Sequence, residues 1–351
     1  MTFAASAQSP YQNRVDQVRR TPGFVAFWDF VRLDPSGARF DAWRGSRETA
    51  DFSLDAVNYV QDYWGQGRQA TYADFPLLGR GPFGEAVQFL PEKDPTFRPL
   101  LMVPRARLHN TGLDVKGARR SVSMVVWLMR ETGNHAIAGI WHEGTDLHTS
   151  AGAPVQKVER GRRQYALFAG LAANNGASAV HVSENGAASF GDRYARNLAV
   201  TPELIKPGEW TVVGFTFDNA RNLVTAYING KANPFWIDDP LKHPFFQWPA
   251  KGWSSGEWNP PKKYIKTRVN AEGKRELTAL QANPYWFPHD LYSPPTSADG
   301  GPFTIGRVIH TSRNVGFTGW IGGVAVFDRA LSPKDMARLA AIAASGPISK
   351  Q

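Results

Sequence analysis

Residues 209–231 read EWTVVGFTFDNARNLVTAYINGK. Val213, Phe215 and Phe217 alternate with Val212, Gly214 and Thr216. After Asp218–Asn222, Val224, Ala226 and Ile228 alternate with Leu223, Thr225 and Tyr227. A period of two sends neighbouring side chains to opposite faces of a sheet, so the stretch is a pair of strands. The connection is rich in turn residues, and Asn229-Gly230 gives a second turn signal where the pair ends. One face is wholly apolar and has to be buried. The other mixes Thr and Tyr with apolar groups and suits the wall of a groove.

The same period recurs on both sides of this hairpin. GFVAFWDFVRL (23–33) and GPFGEAVQFL (81–90) read as strands, the second entered through Gly and Pro. SVSMVVWLMR (121–130) is almost continuously apolar, which predicts a strand buried on both faces. AIAGIWHEG (136–144) follows it at hairpin distance. In QYALFAGLAANNGASAVHVSENG (164–186), Asn175-Gly176 is the pair favoured in tight hairpin turns. Folding about it sets Gly170 opposite His181. Phe168, Gly170, His181 and Ser183 then share one face, and Leu167, Ala169, Leu171, Val180 and Val182 share the better core face. Residues 302–331 return to strands. Ser332-Pro333 caps and starts a helix with Met336, Leu339, Ala340 and Ala343 on one side, and Gly346-Pro347 stops it.

Composition sets the outer bounds. The chain has 351 residues, 42% of them hydrophobic, with 33 Gly and 25 Pro, which fits a turn-rich β protein with a sizeable core. The absence of Cys excludes disulfides, thiolate metal sites and cysteine nucleophiles. A net charge of +9 favours acidic partners. Twelve Trp offer platforms for sugar rings. No apolar run is long enough to span a membrane. Ala5-Ser6-Ala7 has a small-x-small pattern without a preceding hydrophobic stretch. A mature exported protein with an added Met and a plain flexible tail both fit that start.

Several stretches in a fixed order resemble the laminin-G-like, concanavalin A-like lectin/glucanase superfamily. They are GPFGEAVQF (81–89), SVSMVVWL (121–128), the 209–231 stretch, FTIGR (303–307) and GFTGWIGGVAVFDRALSPKDMARLA (316–340). The resemblance implies an all-β jelly-roll sandwich of two antiparallel sheets with a short C-terminal helix. It also implies a concave face where sugars bind and, in some members, are cleaved. On this reading residues 1–22 are a flexible lead-in and 23–345 a single domain, interrupted by insertions at 34–80 and 232–300. Two departures stand out. Gly322 occupies a position where many relatives carry an acidic residue near a structural calcium, which weakens the case for that metal. The laminarinase-type E-x-D-x-x-E pattern begins at Glu92 and Asp94 but meets Phe97 in place of the last Glu. The two carboxylates that a retaining glycosidase needs about 5 Å apart are therefore not supplied by this motif.

The groups able to do chemistry gather in a few places. WHEGTDLH (141–148) supplies His142, Glu143, Asp146 and His148 with His135 close by, although its spacing matches no named zinc signature. A polar hairpin loop accounts for it equally well. His181 with Ser183 lies off the core face of its hairpin, beside Phe168. RGRRQY (160–165) and GDRYARN (191–197) bring Arg162, Arg163, Arg193 and Arg196, whose guanidinium groups fit uronate or sulfate. Charged edge strands look the same. The 232–300 insertion holds five Trp: Trp236, Trp248, Trp253, Trp258 and Trp286. PFFQWP (244–249) reads as packing, while Trp253 and Trp258 sit among Gly, Ser and Asn and read as exposed.

These candidates define His142, Glu143 and His181 as catalytic groups, and Arg163, Arg193, Phe168, Ser183, Trp253 and Trp258 as sugar contacts, all in one concave groove. Strand adjacency places His142 and His181 within roughly 10 Å on a common surface. Three functions stay open: binding of an acidic polysaccharide outside the cytoplasm, cleavage of one by hydrolysis or elimination, and protein adhesion. No nucleic-acid-binding motif is present.

Overall fold

The 209–231 stretch forms the hairpin its alternation dictates, with Val213 opposite Ile228, Phe215 opposite Ala226 and Phe217 opposite Val224. All six are buried, Phe215 and Phe217 completely. Burying each such ring is worth roughly 1.5–3 kcal/mol. The computed structural model describes residues 10–131, 136–142, 161–170, 176–187, 199–309 and 315–342.

In chain order the strands begin with β1 (Phe24–Trp28), β2 (Trp43–Arg44), β3 (Asp55–Asn58), β4 (Val87–Phe89), β5 (Pro99–Val103) and β6 (Val122–Arg130). They continue with β7 (Ala136–His142), β8 (Arg162–Phe168), β9 (Ala177–Val182), β10 (Ala199–Leu204), β11 (Trp210–Asp218) and β12 (Leu223–Ile228). The last are β13 (Phe235–Asp238), β14 (Ile265–Val269), β15 (Arg275–Asn283), β16 (Tyr285–Trp286), β17 (Phe303–Ile305) and β18 (Gly319–Phe327). The helices are α1 (Pro10–Arg19), α2 (Tyr59–Trp64), α3 (Arg105–Leu108), α4 (Gln247–Ser255) and α5 (Pro333–Ala340).

Two antiparallel sheets make an all-β sandwich. The first runs β16-β12-β11-β6-β18-β1-β2, with β4 also on β18. The second runs β10-β9-β8-β7-β17-β5-β3. The core between them is joined by contacts such as Tyr165 of β8 against Phe215 of β11, ring centroids 6.2 Å apart. A third, small sheet, β13-β15-β14, comes from the 232–300 insertion. The side chain of Asn283 ties it to β12. Its amide accepts from the Ala226 N–H at 2.9 Å and donates to the Ala226 carbonyl at 3.0 Å, imitating a backbone rung.

Several expectations change. β6 and β7 do not form a hairpin: β6 pairs with β11 and β18 in the first sheet, and β7 with β8 and β17 in the second. The mixed face of the 209–231 hairpin does not line a groove. Val212 and Tyr227 pack there with Met336 and Leu339 of α5. The helix comes so close that a Cβ on Gly214 would meet Met336 Cε at 2.9 Å. Ser332 caps α5 as anticipated, its hydroxyl accepting from the Asp335 N–H at 3.1 Å.

Residues 10–19, expected to be unstructured, are helix α1. Only Val15 and Val18 are apolar in its interior, too few to show a period, yet both are buried. The 34–80 segment is more than an excursion. It adds β2 to one edge of the first sheet and β3 to one edge of the second.

Candidate functional site

β7, β8 and β9 lie side by side as strand adjacency requires. The register of β8 and β9 differs from a two-residue turn. His181 pairs with Ala166, not Gly170. The Gly176 N–H donates to the Ala169 carbonyl at 2.8 Å, so the chain reverses over a longer connection. The slip is four residues, an even number, and each side chain keeps its face. Phe168 and His181 do stand together, ring centroids 4.2 Å apart. Trp141 joins them, 5.0 Å from His181. The Arg163 guanidinium lies 5.6 Å from the Trp141 ring, and its Nη1 donates to the Gly186 carbonyl at 3.5 Å. Ser183 completes this group: its hydroxyl accepts from the Gly186 N–H at 3.0 Å.

The cluster is closed. Trp141 and Phe168 are each 2% exposed, His181 3%, Arg163 4% and Ser183 5%. His142 is not part of it. It follows Trp141 on β7 and therefore points to the opposite face, where its ring lies 5.2 Å from Tyr63 of α2. The expected pairing of two imidazoles on one surface is thus replaced by two separate buried positions. Glu143 and Arg193 lie outside the described residues, as do His135, Asp146, His148 and Arg196. Trp258 is 4% exposed and stacks on Tyr285 at 6.1 Å, so it is core and not an exposed platform. Trp253 is half-buried against the same core.

Gly322 has a packing reason. A Cβ there would meet Pro82 Cδ at 2.6 Å and the Trp210 ring at 3.0 Å, leaving no room for the acidic side chain of calcium-bearing relatives. Among the described residues no group of three or more His, Asp or Glu side chains is placed to hold a metal. Glu92 is engaged in a buried ion pair with Arg307, which also donates to the Tyr59 hydroxyl.

An open cleft of about 590 Å³ lies instead beside α1 and the end of β1. Tyr11, Val31, Leu33 and Leu77 line it, and each is 42–55% exposed. They are four of the nine exposed large hydrophobic side chains among the described residues, which makes this the main exposed apolar patch there. Asp29 is its polar centre, 3% exposed. Asp29 Oδ1 accepts from the Val31 and Arg32 N–H groups at 3.0 and 2.9 Å, and Oδ2 from Trp43 Nε1 at 2.7 Å. That carboxylate folds the chain into a tight turn in which Phe30 takes φ 59°. A bulky side chain at positive φ costs of order 1–3 kcal/mol and persists where its surroundings impose it. Trp43 carries the Arg19 and Arg32 guanidinium groups 4.6 and 4.8 Å from its ring. Glu85, on the far wall, accepts from the Gly79 and Ala86 N–H groups.

α1 makes one wall of the cleft, supplying Tyr11 and Gln12. It is anchored by Arg14, whose Nη1 donates to the Pro82 carbonyl at 2.6 Å, and by Arg338 of α5, which donates to the Gln17 carbonyl at 3.3 Å. Sequence reasoning missed this place because its walls come from four separate segments. The one available mark was Asp29, a carboxylate inside the apolar run FVAFWDF.

No protein-family model matches the chain, and no curated protein matches it by sequence. Among solved structures it is similar to domain 4 of AbnA, a GH43 extracellular arabinanase from Geobacillus stearothermophilus, in complex with arabinotriose. That match has 12% identity over 92% of this chain and 100% of the other, with a TM-score of 0.39. A Trypanosoma rangeli sialidase matches with 10% identity over 94% of this chain and 37% of its own, TM-score 0.42. The binding domain of botulinum neurotoxin serotype G matches with 9% identity over 92% of this chain and 51% of its own, TM-score 0.40. The chain thus spans about a third to a half of the latter two. Likeness this distant says nothing about ligand or reaction. Among the described residues no helix is long and apolar enough to cross a membrane.

Proposed function

We propose that this protein is an exported carbohydrate-binding module of the laminin-G-like, concanavalin A-like kind, and that its sugar site is the cleft beside α1. The observation that carries the reading is the convergence of Tyr11 and Trp43 with the acceptor Glu85 in one open depression built on the buried Asp29 turn. Sugar rings offer apolar C–H faces and a rim of hydroxyl donors, and this lining meets both. The net charge of +9 supports an acidic polysaccharide as the ligand.

Binding is favoured over cleavage. Asp29 is committed as an acceptor to two backbone N–H groups and the Trp43 indole, so the cleft does not offer the two available carboxyl groups that glycoside hydrolysis uses. The two buried histidines point to opposite faces and form no pair for elimination.

A second reading, protein adhesion, is favoured by the aliphatic rim of Val31, Leu33 and Leu77, which suits an apolar side chain better than a sugar.

Affinity electrophoresis through a panel of neutral and acidic polysaccharides tests the first reading. At least one glycan should retard the wild type, without releasing reducing ends or unsaturated uronates. Tyr11→Ala should weaken that retardation by on the order of tenfold, since an aromatic contact is worth about 1 kcal/mol beyond its area. Released ends would replace binding by cleavage. Retardation by no glycan at all would transfer the cleft to the adhesion reading.

A further inference from the structure

One hairpin of this chain carries a dense group of basic residues. Residues 262–276 hold Lys262, Lys263, Lys266, Arg268, Lys274 and Arg275 against Glu272 and Glu276, which is +4 of the total +9. The carboxylates sit at the turn end, where Glu276 pairs with Arg268 and Glu272 with Lys274, each at 3.1 Å. At the other end Lys262, Lys263 and Lys266 are exposed and form no ion pair among the described residues. Like charges close in the chain without an opposite charge to offset them work against the folded state. A ligand of opposite charge gives them a purpose that stability does not.

The small sheet presents these groups on a fixed platform. Ile237, Leu280 and Ile265 pair across its three strands and are buried at 6%, 0% and 8% exposure. Alternation sends Trp236, Gln281 and Lys266 to the other face. There Lys266 Nζ lies 4.7 Å from the centre of the half-exposed Trp236 ring. Asp238 is on the same face, with Ala279 between it and Lys266 in the pairing. The ammonium lies over the indole, so Trp236 holds the Lys266 charge at a fixed place on this face, where it can meet the acidic group of a sugar.

β14 is also the outer strand of its sheet, and a lysine on an edge strand can simply block strand addition. A glutamate blocks it equally well, so charge reversal separates the two roles.

We propose that the outward face of the β13-β15-β14 sheet at Trp236 and Lys266, together with Lys262 and Lys263 in the turn that leads into β14, is a second binding surface that takes an anionic polysaccharide through its carboxylate or sulfate groups. The surface is distinct from the cleft beside α1. Only the choice of a polysaccharide as the polyanion rests on the carbohydrate reading.

The test is binding of the full chain to immobilised heparin and polygalacturonate across a salt series. The wild type should bind, and affinity should fall as salt rises because bound counterions are released. Lys262→Glu/Lys263→Glu/Lys266→Glu should weaken binding at least tenfold and lower the salt slope by about 2. Trp236→Ala should weaken it several-fold and leave the slope unchanged. Arg221→Glu, which reverses an exposed cation outside both surfaces, should have little effect. Wild-type affinity in the triple variant overturns the proposal, as does an equal loss in Arg221→Glu. Single-stranded DNA or anionic phosphatidylserine vesicles binding as tightly as both polysaccharides would overturn the assignment to a glycan. Heparin binding that the triple variant loses and Tyr11→Ala keeps would remove the cleft reading and leave this one standing.

Discussion

The β7–β9 cluster and the cleft beside α1 contain nearly the same chemistry. Each has a Trp, a second aromatic ring, an Arg close to an indole and a polar group held by a backbone N–H. In the first, Trp141, Phe168, His181 and Arg163 are 2–4% exposed. In the second, Tyr11, Val31, Leu33 and Leu77 are 42–55% exposed around Asp29. Residue type therefore does not separate a packed polar cluster from a binding site in this fold. What separates them is whether later packing covers the face, and strand parity is silent on that.

The largest expected effect is on the closed side. Phe168→Ala should cost about 3–5 kcal/mol in urea unfolding, as removal of a buried ring does. A near-neutral result would mean that the face is open and the contrast wrong.

Asp114 sharpens the same contrast through pH. It stands behind β8, accepting from Gln164 Nε2 at 3.1 Å and bidentately from Arg105 at 2.7 and 3.0 Å, with Lys116 Nζ at 2.6 Å. Burial pushes its pKa up, but the hydrogen bonds from Arg105 and Lys116 outweigh that and hold it below the usual carboxylate value. A lowered folded pKa contributes stability above the unfolded pKa of about 3.9, and that stability is lost as pH falls through the folded value. Asp114→Asn should cost about 1–3 kcal/mol at pH 7, because charged donors lose their acceptor. The gap between variant and wild type should shrink as pH falls below about 4. A gap constant from pH 7 to 3 would show that the carboxylate charge is immaterial there.

Tyr11→Ala is the smallest perturbation, within about 0.5 kcal/mol of wild type in the same unfolding assay, as for an exposed side chain. A larger loss would make Tyr11 part of the scaffold and close the distinction from the other side.

Much of the sandwich was legible because its strands obey a strict period. β11 and β12 pair in the register their alternation implies, and Phe168 and His181 keep their shared face despite a four-residue slip. The rest depended on distant partners. α1 has two apolar anchors, which cannot display a helical period, and its burial is set by Pro82 and Arg338. β6 and β7 follow each other closely, yet belong to different sheets, because a short connection can cross a sandwich as readily as turn a hairpin. The cleft is assembled from residues 11, 31, 33 and 77, none of which is unusual in its own neighbourhood. Trp258 sat among Gly and Asn, but Tyr285, placed by β16 at the edge of the first sheet, stacks on it.

The order of strands in the first sheet bears on how the chain reaches its fold. β18 lies between β6 and β1, so the middle of the sheet is filled by the strand that comes last in it along the chain. Until residues 319–327 arrive, β6 and β1 each present an open, apolar edge, and the pairing of Phe27 with Ala325 spans almost the whole sequence. Such long-range closure is slow and leaves nascent edges prone to association. The sandwich cannot shut before residues 319–327 are made, and until then the edges of β6 and β1 stay open to association.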